Sequence, residues 1–534
     1  MKKILVLLLS CSIIISGLAG CGSKSSSNDT PSPTQSATAT DVPADEAGLT
    51  PTEQAIADRK ASGGYPTVVM AFLNWTGAPN GTERIQKLIS DYTEEKLGIH
   101  VELEILDSAS YSQQMTLMLS SDEQIDIFNA VYMGYTPSVN RGYALNLEEN
   151  DLVGTYGQGI LDTMDEAYIN ACRVGGKLYG LPQQRDMAIG MGGYMIAAEY
   201  LDGIGYDYAS KYSEGDGYVH TTQEEIESIF AQLHKAYPDV YVFAPYESNV
   251  QNSIMYDNIG GDVFGVLMDI NKLEVSNLYS SEAFKQMCER AYRWNQSGYI
   301  SKDALTDNTT AAAQVKAGTA MAYLCALKPG IVAQEEGIAG RDLVAFQTAD
   351  NFMRSGAVAS MPWCINAQTE DAVAAMQFLN LAYTDSYLSN LLCWGEEGVD
   401  YVKTEDGHIT FAEGVDAKTS EWYNNVNWEM PNQFIAEVWD GNDLTIWDKM
   451  EKFNSEAIVS KALGFSFDNS SVTSEYTALK NVYSEYVFQL IFGFSNPETG
   501  ISEMVNKLEA AGLQKYMDAK QKALDEWAAA NGIN

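Results

Sequence analysis

The stretch Gly175-Gly176-Lys177-Leu178-Tyr179-Gly180-Leu181-Pro182-Gln183-Gln184-Arg185-Asp186 divides the chain. Its paired glycines free the backbone for torsions closed to other residues, and Pro182 then fixes φ in an otherwise extended segment. Three long polar residues follow the proline. Upstream lies a βα pattern and downstream an aromatic-rich region, so the stretch reads as a strand crossing from one lobe to another, its polar residues facing a cleft. An ordinary hairpin followed by an exposed strand is the competing local reading. The rest of the chain decides against it.

Upstream, residues 67–73 (TVVMAFL) read as a buried strand, and 82–97 carry Ile85, Leu88, Ile89, Tyr92 and Leu97 at helical spacing. Residues 99–106 alternate as a second strand, 111–119 form a Met-rich helix, and 126–131 form a third strand. Strand, helix, strand, helix, strand implies right-handed parallel units in a doubly wound sheet. Ligands of such sheets bind outside the carboxyl ends of the strands. That rule points to Asn74, Trp75, Ser110, Tyr111, Asn129 and Tyr132.

Downstream, 191–196 and 241–244 are strand-like, 222–236 is a helix with a Thr221 or Thr222 cap, and 281–297 is amphipathic with Trp294 near its end. Residues 311–324 read as a helix running into a strand that returns to the first lobe, with 342–346 and 357–363 crossing back. A long helix covers 371–383, and a hairpin turns at Asp406-Gly407. The region holding Trp394, Trp422, Trp428, Trp439 and Trp447 is rich in tryptophan. From Gly464 onward the pattern is mostly helical.

At the other end, Lys2 and Lys3 precede a short apolar run and then Leu18-Ala19-Gly20-Cys21. The run is too short to span a bilayer, and the layout is that of a signal peptide over 1–20. The tetrad resembles a lipobox, which implies a diacylated Cys21; two chains anchor far better than one. Residues 21–64 are Ser, Thr, Pro, Ala and Asp with little to bury, a disordered tether holding at most a short helix over 50–60.

The charge is −39, with 72 acidic against 33 basic residues, which repels nucleic acid and anionic headgroups. After Cys11 and Cys21, five widely spaced cysteines remain, without CxxC, and they describe no disulfide framework. No HExxH, P-loop, GxSxG, dinucleotide fingerprint or kinase set is present, and four scattered histidines give no metal spacing. No cofactor, metal or catalytic residue is expected. A glycosidase pair of carboxylates is recognised only by its separation in space. The aromatics are more telling. Nine tryptophans and 31 tyrosines offer flat faces to sugar rings, with Asn, Gln, Asp and Arg for the hydroxyls.

Several motifs then converge. Gly464-Phe465-Ser466-Phe467-Asp468, Ala478-Leu479-Lys480-Asn481-Val482, Ser484-Glu485-Tyr486 and Leu524-Asp525-Glu526-Trp527 resemble a C-terminal domain of unassigned function found in one branch of the family 1 extracellular solute-binding proteins. These are lipoprotein receptors of Gram-positive ABC sugar importers. Trp394-Gly395-Glu396-Glu397-Gly398-Val399-Asp400-Tyr401 is similar to that family's Gly-x-Glu-Gly segment, and Tyr179-Gly180-Leu181-Pro182 to its segment at the lobe crossing. The resemblance covers nearly all of residues 66–534. It implies an α/β, two-lobed, periplasmic-binding-protein-like fold with crossover hinge strands and a mostly helical C-terminal region.

On this reading the first lobe is 65–180 plus about 318–356, the second is 181–317 plus about 357–463, and 464–534 packs on them. The implied function is that of a non-enzymatic, monomeric protein on the outer face of the cytoplasmic membrane. It captures a carbohydrate, an oligosaccharide on this reading, by lobe closure and delivers it to ABC permease subunits. A secreted glycoside hydrolase and a peptide-binding or adhesive lipoprotein are the alternatives. The expected ligand-binding residues are Asn74, Trp75, Tyr111 and Tyr132 from one side. Gln183, Arg185, Asp186, Trp294, Trp363 and Trp394 are expected from the other, with an ion pair as the competing role for Arg185 and Asp186.

Overall fold

The computed structural model describes residues 49–533 except Thr76, Asp122, Glu214, Asp216, 246–252 and 423–425. The expected signal peptide, Cys21 and most of the tether lie outside the described residues.

Eleven strands, numbered here in chain order, build two sheets. They are β1 (Thr67–Asn74), β2 (His100–Asp107), β3 (Ile127–Asn129), β4 (Ile189–Ala197), β5 (Val219–His220), β6 (Tyr241–Phe243), β7 (Ala320–Leu327), β8 (Leu343–Gln347), β9 (Asn351–Met353), β10 (Trp363–Ile365) and β11 (Ile458–Val459). The first sheet has the order β10-β3-β1-β2, parallel except for β10. β1 is buried along nearly its whole length, as a central parallel strand covered on both faces should be. The helix Thr82–Leu97 turns Ile85, Ile89 and Leu97 into that core and ends at Gly98, whose φ of 66° supplies the left-handed cap.

The second sheet is centred on β4. β7 pairs along one of its edges and β8 and β9 along the other, all antiparallel to it. β6 extends the sheet beyond β7, β5 beyond β8 and β11 beyond β9. Alternate residues of β4 serve different layers. Tyr194 and Ile196 belong to the apolar core that holds Phe230, Trp294 and residues of the C-terminal helices, whereas Met195 and Ala197 belong to the core that holds Val315 and Ile331.

This pairing corrects the expected lobe boundaries. Residues 320–327 and 343–347, expected in the first lobe, hydrogen-bond to β4 in the second. The return falls later, at β10, and the helices Ala372–Thr384 and Ser386–Cys393 then pack on the first lobe. Hydrophobic alternation marks a strand without naming its neighbour. β4 is nine residues long and offers two open edges, and those edges captured the next strands. The near end of the expected tether is also ordered. Thr50 forms a capping box with Glu53 at the start of the helix Pro51–Ser62, and Arg59 reaches the Leu97 carbonyl (2.7 Å) and Gln377.

The C-terminal helices Thr473–Ile491, Pro497–Ala510 and Leu513–Ala530 cover the second lobe, the first two packing on the helix Glu282–Gln296 and the third on the short strand Val275–Ser276. Gly493 permits the closest approach: a Cβ there would stand 2.1 Å from the Ala291 carbonyl oxygen. No helix among the described residues is long and apolar enough to cross a membrane.

Candidate functional site

Three segments carry the chain between the lobes: 183–189, 354–363 and 453–460. They are bonded to one another and to the first lobe. Leu181 and Trp363 exchange backbone hydrogen bonds of 2.8 Å in both directions. The Tyr383 hydroxyl donates to the carbonyls of Leu181 (3.0 Å) and Pro182 (2.9 Å). Asn454 accepts from the N–H groups of Met187 and Ala188 (2.8 and 3.0 Å) and donates to the Arg185 carbonyl (2.7 Å). A buried amide that completes its bonds across two segments fixes their register.

Two cavities of about 490 Å³ each open beside these crossings and share Lys328. The first is walled by Trp394, Trp428, Trp439 and Trp447, with Gln334 and Asn442 among its polar atoms. The Trp394 indole N–H donates to the Glu437 carbonyl (3.1 Å) and that of Trp447 to the Ala436 carbonyl (2.7 Å). With those donors used, the orientation of each of these two rings is fixed. Trp394 and Trp439 lie 5.4 Å apart, and Phe411 backs Trp439 edge-on at 4.7 Å. Trp75, at the end of β1, leans on Trp428 at 6.0 Å.

The second cavity is lined by Arg185, Asp186, Lys328, Arg354 and Met361. Lys328 donates to Asp186 at 2.9 Å, and Arg185 Nε stands 3.5 Å from the other carboxylate oxygen. Burial by itself would raise the Asp186 carboxyl, but the charges of Arg185 and Lys328 outweigh it and hold Asp186 below the usual range. The guanidinium of Arg185 lies 5.7 Å from the Trp428 ring centroid, a cation–π contact that joins the two cavities.

The expected residues therefore divide. Arg185, Asp186 and Trp394 line cavities, while Trp75 (46 % exposed) and Tyr132 (58 %) project from the carboxyl ends of β1 and β3. Asn74 is buried and spends its side chain on the turn, accepting from the Trp75 N–H and donating to the Gly77 carbonyl. Five expectations are corrected by burial, that of Asn74 among them. Tyr111 has no exposed surface and donates to the Asn129 carbonyl at 2.7 Å. Trp294 lies among Phe230 and Phe243, deep in the second lobe. Trp363 is wholly buried, its indole N–H donating to the Glu429 carbonyl at 2.9 Å. An aromatic residue at a strand or helix end has the same local pattern whether it faces a cleft or a core, and packing alone chose the core. Gln183 is likewise buried, donating to the carbonyls of Met361 and Glu429.

Sequence reasoning missed Lys328, Trp428, Trp439 and Trp447 as individual site residues. Tryptophan density did flag three of them as a region. Nothing around Lys328 announced it.

Behind the tryptophans sits Glu429, wholly buried, accepting from the Leu73 N–H (3.3 Å). Burial pushes its carboxyl well above the usual range, against the opposing pull of that hydrogen bond. It ties the segment bearing Trp428 to the end of β1, which bears Trp75.

With this geometry described, comparison with known proteins places the fold. Residues 461–529 match a family described as a domain of unknown function (DUF3502). Over 479 residues the chain is 24 % identical to a carbohydrate ABC transporter substrate-binding protein of Streptococcus pneumoniae serotype 4, covering 87 % of this chain and 92 % of that one. The crystal structure of the N-glycan transport solute binding protein of Streptococcus pneumoniae superposes with a TM-score of 0.72 at 23 % identity, covering 86 % of this chain and 98 % of that one. Its complex with Man1GlcNAc gives 0.61 at 22 % identity, covering 86 % and 99 %. The fold is that of the two-lobed solute-binding proteins. The resemblance to the family 1 extracellular solute-binding proteins, C-terminal domain included, is borne out.

Proposed function

We propose that this protein is the solute-binding component of an ABC importer and that it captures a carbohydrate by lobe closure. The observation that carries this reading is the wall of four tryptophans at the junction of the lobes, three of them on one stretch of chain, with two of the rings, Trp394 and Trp447, held by indole hydrogen bonds to backbone carbonyls. Flat, preorganised indole faces suit the C–H faces of pyranose rings, and nearby amides suit hydroxyls. Support comes from the relatives, one named a carbohydrate substrate-binding protein and another crystallised with Man1GlcNAc. Two cavities of about 490 Å³ leave room for more than one sugar ring. An oligosaccharide is therefore the ligand class, bound by Trp75, Tyr132, Arg185, Asp186 and Trp394 together with Trp428, Trp439 and Trp447.

Ligand that touches both lobes completes its contacts only when they close, so it shifts the hinge equilibrium toward closure, and the permease reads the closed form. The protein works as a monomer, held by a lipid on Cys21 at the outer face of the membrane. A hydrolase is disfavoured because Asp186, the buried carboxylate that lines the second cavity, is held ionised by two cations and has no proton to give as a general acid.

The test is a thermal-shift and calorimetric screen of residues 49–534 against neutral oligosaccharides, acidic oligosaccharides and peptides, with recovered ligand analysed by mass spectrometry. Binding of a glycan recovered intact is expected. Cleaved sugar identifies a hydrolase, and a response to peptides alone overturns the carbohydrate reading.

A further inference from the structure

The chain as a whole carries −39, yet the cavity beside the hinge is locally cationic. Arg185 and Lys328 share one carboxylate, Asp186, so two positive charges face one negative charge. Arg185 spends its Nε–H on the Asp186 carbonyl at 3.0 Å. Beyond the Asp186 carboxylate, 3.5 Å from the same Nε, the only acceptor it meets among the described residues is the thioether of Met361, 3.7 Å from Nη1. Sulfur of that kind is a weak acceptor. The outer edge of the guanidinium, a planar fork of N–H groups made for a carboxylate, is therefore unused. It is also partly desolvated, since the Arg185 side chain is only 20 % exposed and lies against Trp428.

Lobe closure sharpens the point. Water leaves the cleft as it closes, and an uncompensated cation buried there is costly. A neutral sugar removes the water without removing the charge. An anionic group on the ligand does both. The stacking places it too: a pyranose ring on the tryptophan wall near Trp428 has a carboxylate substituent within reach of the guanidinium packed on that same indole.

We propose that the ligand of this site is an acidic glycan, with a sugar carboxylate held by the outer N–H groups of Arg185 next to Lys328, beside the tryptophan wall. This rests on the carbohydrate reading above and narrows it. The acidic surface of the whole chain argues against anionic partners at long range, but screening confines that effect to about 8–10 Å at physiological ionic strength. Inside the cleft the near charges decide.

The experiment uses an array of paired glycans, each uronate- or sialate-bearing member matched by its carboxyl-reduced or de-acidified counterpart. Calorimetry on the best pair follows, at low and high salt, with the wild type, Arg185→Gln and Arg185→Lys. The acidic member is expected to bind about tenfold or more tightly, with an affinity that falls as salt rises. Arg185→Gln is expected to abolish the preference, bringing the affinity for the acidic member down to that for its neutral partner. Arg185→Lys is expected to keep the salt dependence with a smaller preference, because an ammonium lacks the planar fork. Neutral members that bind as well as their acidic partners overturn the inference and leave the carbohydrate reading standing. Silence from every glycan on the array overturns both. Retained acid preference in a folded Arg185→Gln protein overturns the role assigned to Arg185.

Discussion

Tyr132 adopts φ of 59°, a left-handed conformation that is costly for a bulky side chain. It stands exposed at the carboxyl end of β3, where a parallel sheet presents its ligand contacts. Strain of that kind clusters at functional sites, in keeping with the ligand contact proposed for Tyr132. Tyr132→Gly is expected to raise the unfolding free energy by about 1 kcal/mol by relieving the torsion, while weakening glycan binding. Chemical denaturation and calorimetry on one preparation measure both; a variant that loses stability argues that Tyr132 is packed rather than poised. Glu429 makes a different residue-level prediction. Its folded carboxyl titrates well above 4.5, so above that pH the native state keeps a proton the unfolded chain has released. Stability then declines as pH rises, by up to about 1.4 kcal/mol per pH unit until the folded carboxyl ionises. Glu429→Gln is expected to remove that slope and to be the more stable protein at pH 7. Parallel urea-stability profiles from pH 5 to 8 are the result that contradicts it.

At the scale of elements, the loop bearing Trp394 is held by charge. Arg84, on the first helix after β1, bonds Glu396 at 2.7 Å and Asp400 at 2.8 Å, and Asp400 in turn accepts from the Glu396 N–H at 2.8 Å. Gly395 makes room for this, since a Cβ there would lie 2.3 Å from an Asp400 oxygen. Arg84→Ala strands the buried Asp400 and is expected to cost about 1–3 kcal/mol, the partial exposure of Arg84 keeping it at the low end for a broken pair. Weaker glycan binding is expected alongside, with Arg84→Lys recovering part of each.

The C-terminal helices have their own anchor. Lys520 is fully buried, donates to Asp262 (2.9 Å) and to the Gly265 carbonyl (3.0 Å), and packs under Tyr516 and Phe467, while Tyr516 donates to the other Asp262 oxygen. Lys520→Met is expected to lower stability by about 2–4 kcal/mol, because Asp262 loses its cation, with glycan affinity unchanged. A changed affinity would tie this domain to the binding event.

For the whole molecule, the proposed cycle predicts compaction and stabilisation together. Saturating glycan is expected to reduce the radius of gyration in solution scattering, and at a hundredfold excess over Kd to add about 2.7 kcal/mol of stability. Stabilisation without compaction would mean binding to one lobe alone.

The sequence by itself determined the elements and their class. Periodicity placed β1, β2 and the helices from Thr82 and Gln223 to within a residue or two, because side-chain spacing is a local property of backbone geometry. The Tyr-Gly-Leu-Pro step stands just before the first crossing, where Pro182 fixes its own torsion, but Gly175-Gly176 turns a hairpin that pairs 173–174 with 177–178, the competing local reading of that stretch. Only the tertiary structure decided what depends on a partner distant in the chain. It assigned β7 and β8 to the edges of β4 and sent Tyr111, Trp294 and Trp363 into cores. It also brought Lys328 within 2.9 Å of Asp186 across 142 residues. The physical reason is the same in each case. An edge strand, an aromatic ring and a lysine carry no local mark of the surface they will meet, and that surface exists only once the two lobes have folded.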